Sequence, residues 1–148
     1  MSGFAPDKGI SDYDLVYHDA SDTSYEAEDA VIQAANKLYA DLGVDVEVRN
    51  QARVHLWYEE KHGRKCPEHQ SVEAGIDSWI STSAMIGIRV GSDAEKEWDV
   101  YAPRGLSELF GMVVRPNTDI GTREAYEKKV RRWKGIWDVK VEEWPRNE

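Results

Sequence analysis

Between Thr23 and Gly43 the chain reads TSYEAEDAVIQAANKLYADLG, with its apolar residues at the helical period. Ala27, Val31, Ala34, Ala35, Leu38 and Leu42 fall on one stripe. Thr23 and Glu26 have capping-box spacing, and Gly43 stands where a helix stops. On both sides the period changes to two. Upstream, SDYDLVYHDASD carries Tyr13, Leu15, Val16 and Tyr17, which favour a pleated and packed surface. Downstream, VDVEVRN puts Val44, Val46 and Val48 on one face and Asp45, Glu47 and Arg49 on the other. A helix connecting two such strands allows them to be neighbours.

The remaining segments continue the mixture. ARVHLWYE reads as a strand, joined to VDVEVRN by the short polar step NQ as a hairpin. EEKHGRKCPEHQ is a loop by its glycine, proline and charges. SVEAGIDSWI predicts a short helix with Ser71 as its cap. TSAMIGIRV alternates, with Thr82, Ala84, Ile86, Ile88 and Val90 on one face, and EWDVYAP is a strand ended by Pro103. LSELFGM predicts a short helix. TREAYEKKVRRWKGIW predicts a longer one with a stripe of Tyr126, Val130, Trp133 and Trp137, and VKVEEW a last short strand. The expected fold class is α+β, a mixed β-sheet with flanking helices. At 148 residues the simplest organisation is a flexible segment over 1–10 and a single domain over 11–148.

Composition narrows the partners. A formal net charge of -9 argues against broad nucleic-acid or anionic-membrane binding, which needs the opposite sign. The single cysteine, Cys66, permits no internal disulfide and points to the cytoplasm. The opening MSGFAPDKG has no apolar stretch of the signal-peptide kind, and no apolar run approaches a membrane span.

Four constellations bear on chemistry. Asp12 and Asp14 share one face of their strand, roughly 6 to 7 Å apart, and Asp45 and Glu47 share a face of another. Like charges at that spacing repel, and a divalent cation would turn repulsion into coordination. The plain alternative is a solvated strand end, which the pattern alone favours. His62, Cys66 and His69 lie in one loop and could begin a zinc site, but their spacing matches no standard pattern, and ordinary loop residues are the better reading. The basic run KKVRRWK sits in the second half of a helix that opens with Glu124 and Glu127. The helix dipole favours that order, so a solvated face is expected rather than a phosphate grip. Of the six tryptophans, Trp133 and Trp137 belong to an apolar stripe and are expected in a core; Trp57, Trp79, Trp98 and Trp144 are left undecided.

DYDLVYHDASDTSYEAEDAVI, VDVEVRNQARVHLWYE, STSAMIGIRV and VYAPRGLSELFGMVVRPN together resemble a bacterial nucleotidyltransferase-like family, formerly a domain of unknown function, within the DNA polymerase beta-like nucleotidyltransferase superfamily. The resemblance runs from about Ser11 nearly to the end. It implies a Gly-Gly or Gly-Ser at a helix start, Asp-hydrophobic-Asp on a strand, and a third acidic residue on a neighbouring strand. Asp12 and Asp14 match the strand pair, and Glu47 the third position, with Asp45 on the same face as the fallback. These three would be catalytic and would hold Mg2+ or Mn2+, and the expected function is transfer of a nucleotidyl group from an NTP to an unknown acceptor.

The alternative is a non-catalytic domain that keeps the fold and binds a nucleotide or a protein. Ahead of Asp12 the chain departs from the family pattern: Pro6 and Gly9 interrupt Met1–Ser11, and Ser2-Gly3 is not the Gly-Ser signature. The expectation is therefore that the true start lies upstream or that the chain is a natural truncation, with little or no nucleotidyl transfer by this chain alone. An apolar patch or homo-oligomer contact should then lie beside the strand around Leu15 and Tyr17.

Overall fold

The computed structural model describes residues 5, 7–91 and 97–146. The flexible segment expected over 1–10 lies partly outside these residues, as do Ser2 and Gly3. The fold is a mixture of helices and small sheets, in two compact units, Met1–Val72 and Glu73–Glu148.

In the first unit, β1 (Tyr13–Tyr17) leads through α1 (Tyr25–Tyr39) to β2 (Val46–Asn50), and α2 (Val54–His62) follows. The strands pair in parallel, with Tyr13 opposite Val46 and Tyr17 opposite Asn50. The helix is capped one residue later than its capping-box spacing suggests: the Ser24 hydroxyl, not Thr23, accepts the Ala27 amide. A 3-10 turn, Ala40–Leu42, ends at Gly43 in the left-handed region, φ 66°. The expected hairpin is absent, because ARVHLWYE is helical. Asn50 accepts the Ala52 amide at 3.1 Å, turning the strand into a 3-10 step over Gln51–Arg53 that continues as α2. Gly63, φ 67°, closes α2 with its amide on Glu59 O. The aromatic and β-branched residues of α2 resemble a strand in type, but a backbone turned at Asn50 cannot pair back on β2.

Among the described residues of this unit the buried apolar positions are few: Val48, Ala52, Val54 and Cys66. Beside them lies a polar set. Glu28 of α1, 7 % exposed, is ion-paired with Arg53, 9 % exposed. Its Oε1 accepts the Asn50 amide at 2.8 Å, and Arg53 Nε donates to Thr23 O at 2.8 Å. Asn50 Oδ1 accepts the Asp19 amide, while its Nδ2 donates to Asp19 O.

In the second unit, α3 (Val72–Asp77) precedes a 3-10 turn at Thr82–Ala84, where a longer strand was expected. The strand is confined to β3 (Gly87–Val90), antiparallel to β4 (Trp98–Tyr101). Then come α4 (Ser107–Phe110), β5 (Val113–Val114), α5 (Arg123–Lys134) and β6 (Lys140–Val141). β5 pairs in parallel with β6. The described strands form three two-stranded ladders, two parallel and one antiparallel, and with the helices they make the α+β fold expected. Ile76, Met85, Val114 and Tyr126 are each buried. The Tyr126 hydroxyl lies 2.9 Å from Val114 O and 2.6 Å from Glu142 O, so α5 is fastened to the short ladder. Burial, with the Glu142 charge behind it, pushes that phenol up to about 12. The α5 cations are largely solvated, as expected of this face, and Trp133 meets Trp137 edge-on at 6.5 Å.

Candidate functional site

The β1–β2 ladder sets the candidate carboxylates. Alternation puts Leu15 and Val48 on one face and Asp14 and Glu47 on the other. In the register Asp14 is the direct partner of Glu47, so their backbones are one strand spacing apart, about 5 Å. Asp12 precedes β1 by one residue and accepts the Ser11 hydroxyl at 2.9 Å. The Tyr13 amide donates to Asp45 O at 2.8 Å, which brings the fallback position alongside the start of β1. Glu47 and Arg49 form an exposed ion pair at 3.4 Å. Pairs of that kind contribute less than about 1 kcal/mol, so Glu47 is easily redirected.

These side chains offer hard oxygen donors. Among the described residues no three His, Cys, Asp or Glu side chains are gathered as a metal-holding group. The structure therefore brings Asp14 and Glu47 into register and leaves Asp12 and Asp45 at the strand entrances. Magnesium suits such a place, because it takes one or two carboxylates and completes its shell with water and substrate phosphates.

Behind this pair, on the Leu15 and Val48 side, runs an apolar groove of about 320 Å³. Leu15 and Tyr17 of β1 line it, with Val31, Ala34, Ala35, Leu38 and Tyr39 of α1. The α1 stripe read from the sequence is thus only partly covered among the described residues: Leu38 is 73 % exposed. An apolar patch beside Leu15 and Tyr17 was expected, and the groove is one.

The histidine and cysteine loop differs from its plain reading. His62 stays against Tyr58, ring centroids 4.5 Å apart. Cys66 and His69 are buried, with Sγ 3.6 Å from Nε2. His18 Nε2 donates to His69 O at 2.8 Å, and His55 Nδ1 is buried with no hydrogen-bond partner among the described residues. Burial pushes the Cys66 thiol up, away from the reactive thiolate. Burial first, then the nearby His55 and His18, holds the His69 imidazole below its ordinary range. Sequence spacing missed this cluster because His18 and His55 come from β1's end and from α2.

A pH dependence follows. Unfolded, His69 takes up its proton near pH 6.5; folded, it does so only at lower pH. Between those values the unfolded state holds more protons, so stability falls as pH drops through about 6.5 and levels off below the folded value. Urea midpoints at pH 7.5 and 5.5 should show this loss, and His69→Asn should flatten it. An unchanged slope in the variant would assign the dependence to other groups; His62, also lowered by burial, is the next candidate.

Comparison with known proteins bears on the family and the fold. A family model described as nucleotidyltransferase matches residues 1–140. No curated protein sequence matches the chain. A solved structure, reported as an NMR structure that reveals a CCA-adding enzyme head domain, is similar with a TM-score of 0.72 at 20% identity. The likeness covers 97% of this chain and 73% of that one, and at this identity it concerns the fold alone.

Proposed function

The chain belongs to a nucleotidyltransferase family, and from that premise we propose that it moves a nucleotidyl group from an NTP to an acceptor hydroxyl, with Asp14 and Glu47 as the central carboxylates. The observation that carries this is their direct pairing across β1 and β2. In the reaction the acceptor oxygen forms a bond to the α-phosphorus, the bond from that phosphorus to the bridging oxygen breaks, and pyrophosphate leaves. A carboxylate of the set takes the acceptor proton. Asp12, at the strand entrance, is the third group of this reading, and Asp45 is the alternative to Glu47.

Asp12, Asp14 and Glu47 would hold Mg2+ or Mn2+, which when bound supplies charge neutralisation for the phosphates. Glu47 turns toward that charge at little cost, since its present partner is the exposed Arg49. Among the described residues no helix is long and apolar enough to cross a membrane. The single cysteine fits a reducing compartment such as the cytoplasm.

Manganese added in small steps tests the site. NMR signals of Asp12, Asp14 and Glu47 should broaden first, with weak affinity in the absence of nucleotide. Broadening that begins at His62 and His69 would move the site to the histidine cluster and remove the carboxylates from the reading.

A further inference from the structure

We propose that Glu28, Arg53 and Asn50 are positioning residues: their buried polar contacts fix the β1–β2 register that sets Asp14 opposite Glu47. The inference rests on the reading of those two carboxylates given above, and concerns residues that touch neither of them.

The ladder has little else to fix it. Each strand is five residues long, and among the described residues they pair only with each other. Parallel pairs are slightly weaker per residue than antiparallel ones. Register is well specified where one face is firmly buried, and weakly where it is not. Here Tyr13 is 46 % exposed and Leu15 41 %, so apolar burial discriminates poorly between alignments of β1. On β2 the two buried positions are Val48 and Asn50, and the second is polar.

A slipped register would be harmful to the site. A one-residue shift turns the whole set of side chains to the opposite face. A two-residue shift keeps the face but carries Glu47 roughly 6 to 7 Å along from Asp14.

The polar set opposes both shifts, because its bonds are specific to single atoms. Glu28 accepts the amide of Asn50 and no other residue of β2. Asn50 holds Asp19, two residues past the end of β1, by two hydrogen bonds at 3.0 and 2.8 Å. Arg53 keeps the Glu28 carboxylate in place and is itself held by Thr23 O, in the loop that follows β1. Helix α1, the end of β2 and the exit of β1 thus meet at one buried point. Any slip breaks several of these bonds together and strands their partners away from water. Specifying register is the best-attested use of a buried polar group, since apolar replacements often match it in stability.

The test replaces the pair by apolar residues of similar volume. Glu28→Leu with Arg53→Met should fold, yet show a second set of β1–β2 amide signals with altered cross-strand contacts. With the slipped form at about nine-tenths, the Mn2+ dissociation constant should rise about tenfold. Glu28→Gln with Arg53→Met returns an acceptor to the Asn50 amide and should restore the native contacts. A single native register in the Leu variant, with Mn2+ affinity within about twofold of the parent, would overturn the proposal, as would a Gln variant no better than the Leu one. Should neither fold, hydrogen exchange in the unaltered chain decides. The Asn50 amide must exchange only through unfolding of the whole unit, and exchange through local opening overturns the lock. If the parent chain binds no Mn2+, the carboxylate reading fails alone, and the cross-strand contacts still judge the register.

Discussion

Arg53→Met alone should lower the unfolding free energy by about 3–5 kcal/mol, the usual cost of breaking a buried ion pair. Glu28, 7 % exposed, would keep its carboxylate with one amide donor and no counter-charge. Against a total of about 5–15 kcal/mol this is a large fraction, and the thermal midpoint should fall by about 10 °C. Circular dichroism during heating measures it. Adding Glu28→Leu should recover most of the loss, because the orphaned charge is then gone. A midpoint change under about 2 °C for Arg53→Met would mean that water reaches Glu28 and that the pair is not truly buried.

Asp14→Asn should have the opposite profile, with little change in stability and a large change in function. The side chain is exposed on the ladder face away from the groove. The substitution keeps its shape and removes its charge. Mn2+·ATP binding should weaken by tenfold or more, and nucleotidyl transfer, read as pyrophosphate release from mixed NTPs with a total extract as the acceptor source, should fall on the order of 10²–10³-fold. Glu47→Gln should do likewise, whereas Asp45→Asn should cost far less if Asp45 is only the neighbour of the site. A larger loss at Asp45 than at Glu47 would exchange their roles. Transfer unaffected by Asp14→Asn would remove the carboxylate mechanism.

Much of this was legible in residue pattern. The α1 period, the alternation around Val46 and Val48, and the glycine at position 43 locate one strand, one helix and a second strand with nearly correct bounds. The Asp-x-Asp pattern singles out Asp12 and Asp14, but only the observed register says which residue of β2 faces Asp14. ARVHLWYE was misread because residue type was weighed over local geometry. The deciding signals were Asn50, whose side chain captures the Ala52 amide, and Gly63 after the Glu-Glu-Lys-His run. The Glu28–Arg53 pair had no local signature at all, since its partners lie 25 positions apart and each alone reads as a surface charge. The helix stripe gave the direction of α1's apolar side but not its cover, and the groove shows that the two are separate questions.

The long crossover through α1 also governs when the pairing of Asp14 with Glu47 comes into being. Asp19 and Asn50, joined at the end of the ladder, are 31 positions apart, whereas Arg89 and Asp99 on the β3–β4 ribbon are separated by 10. Closing the longer loop costs more chain entropy and is slower to reward. On the ribosome, at about 5–20 residues per second, Asn50 emerges roughly a few seconds after Asp19. Until then a nascent chain displays Asp12 and Asp14 with nothing to face them, and a chain released early carries two aspartates and no partner strand.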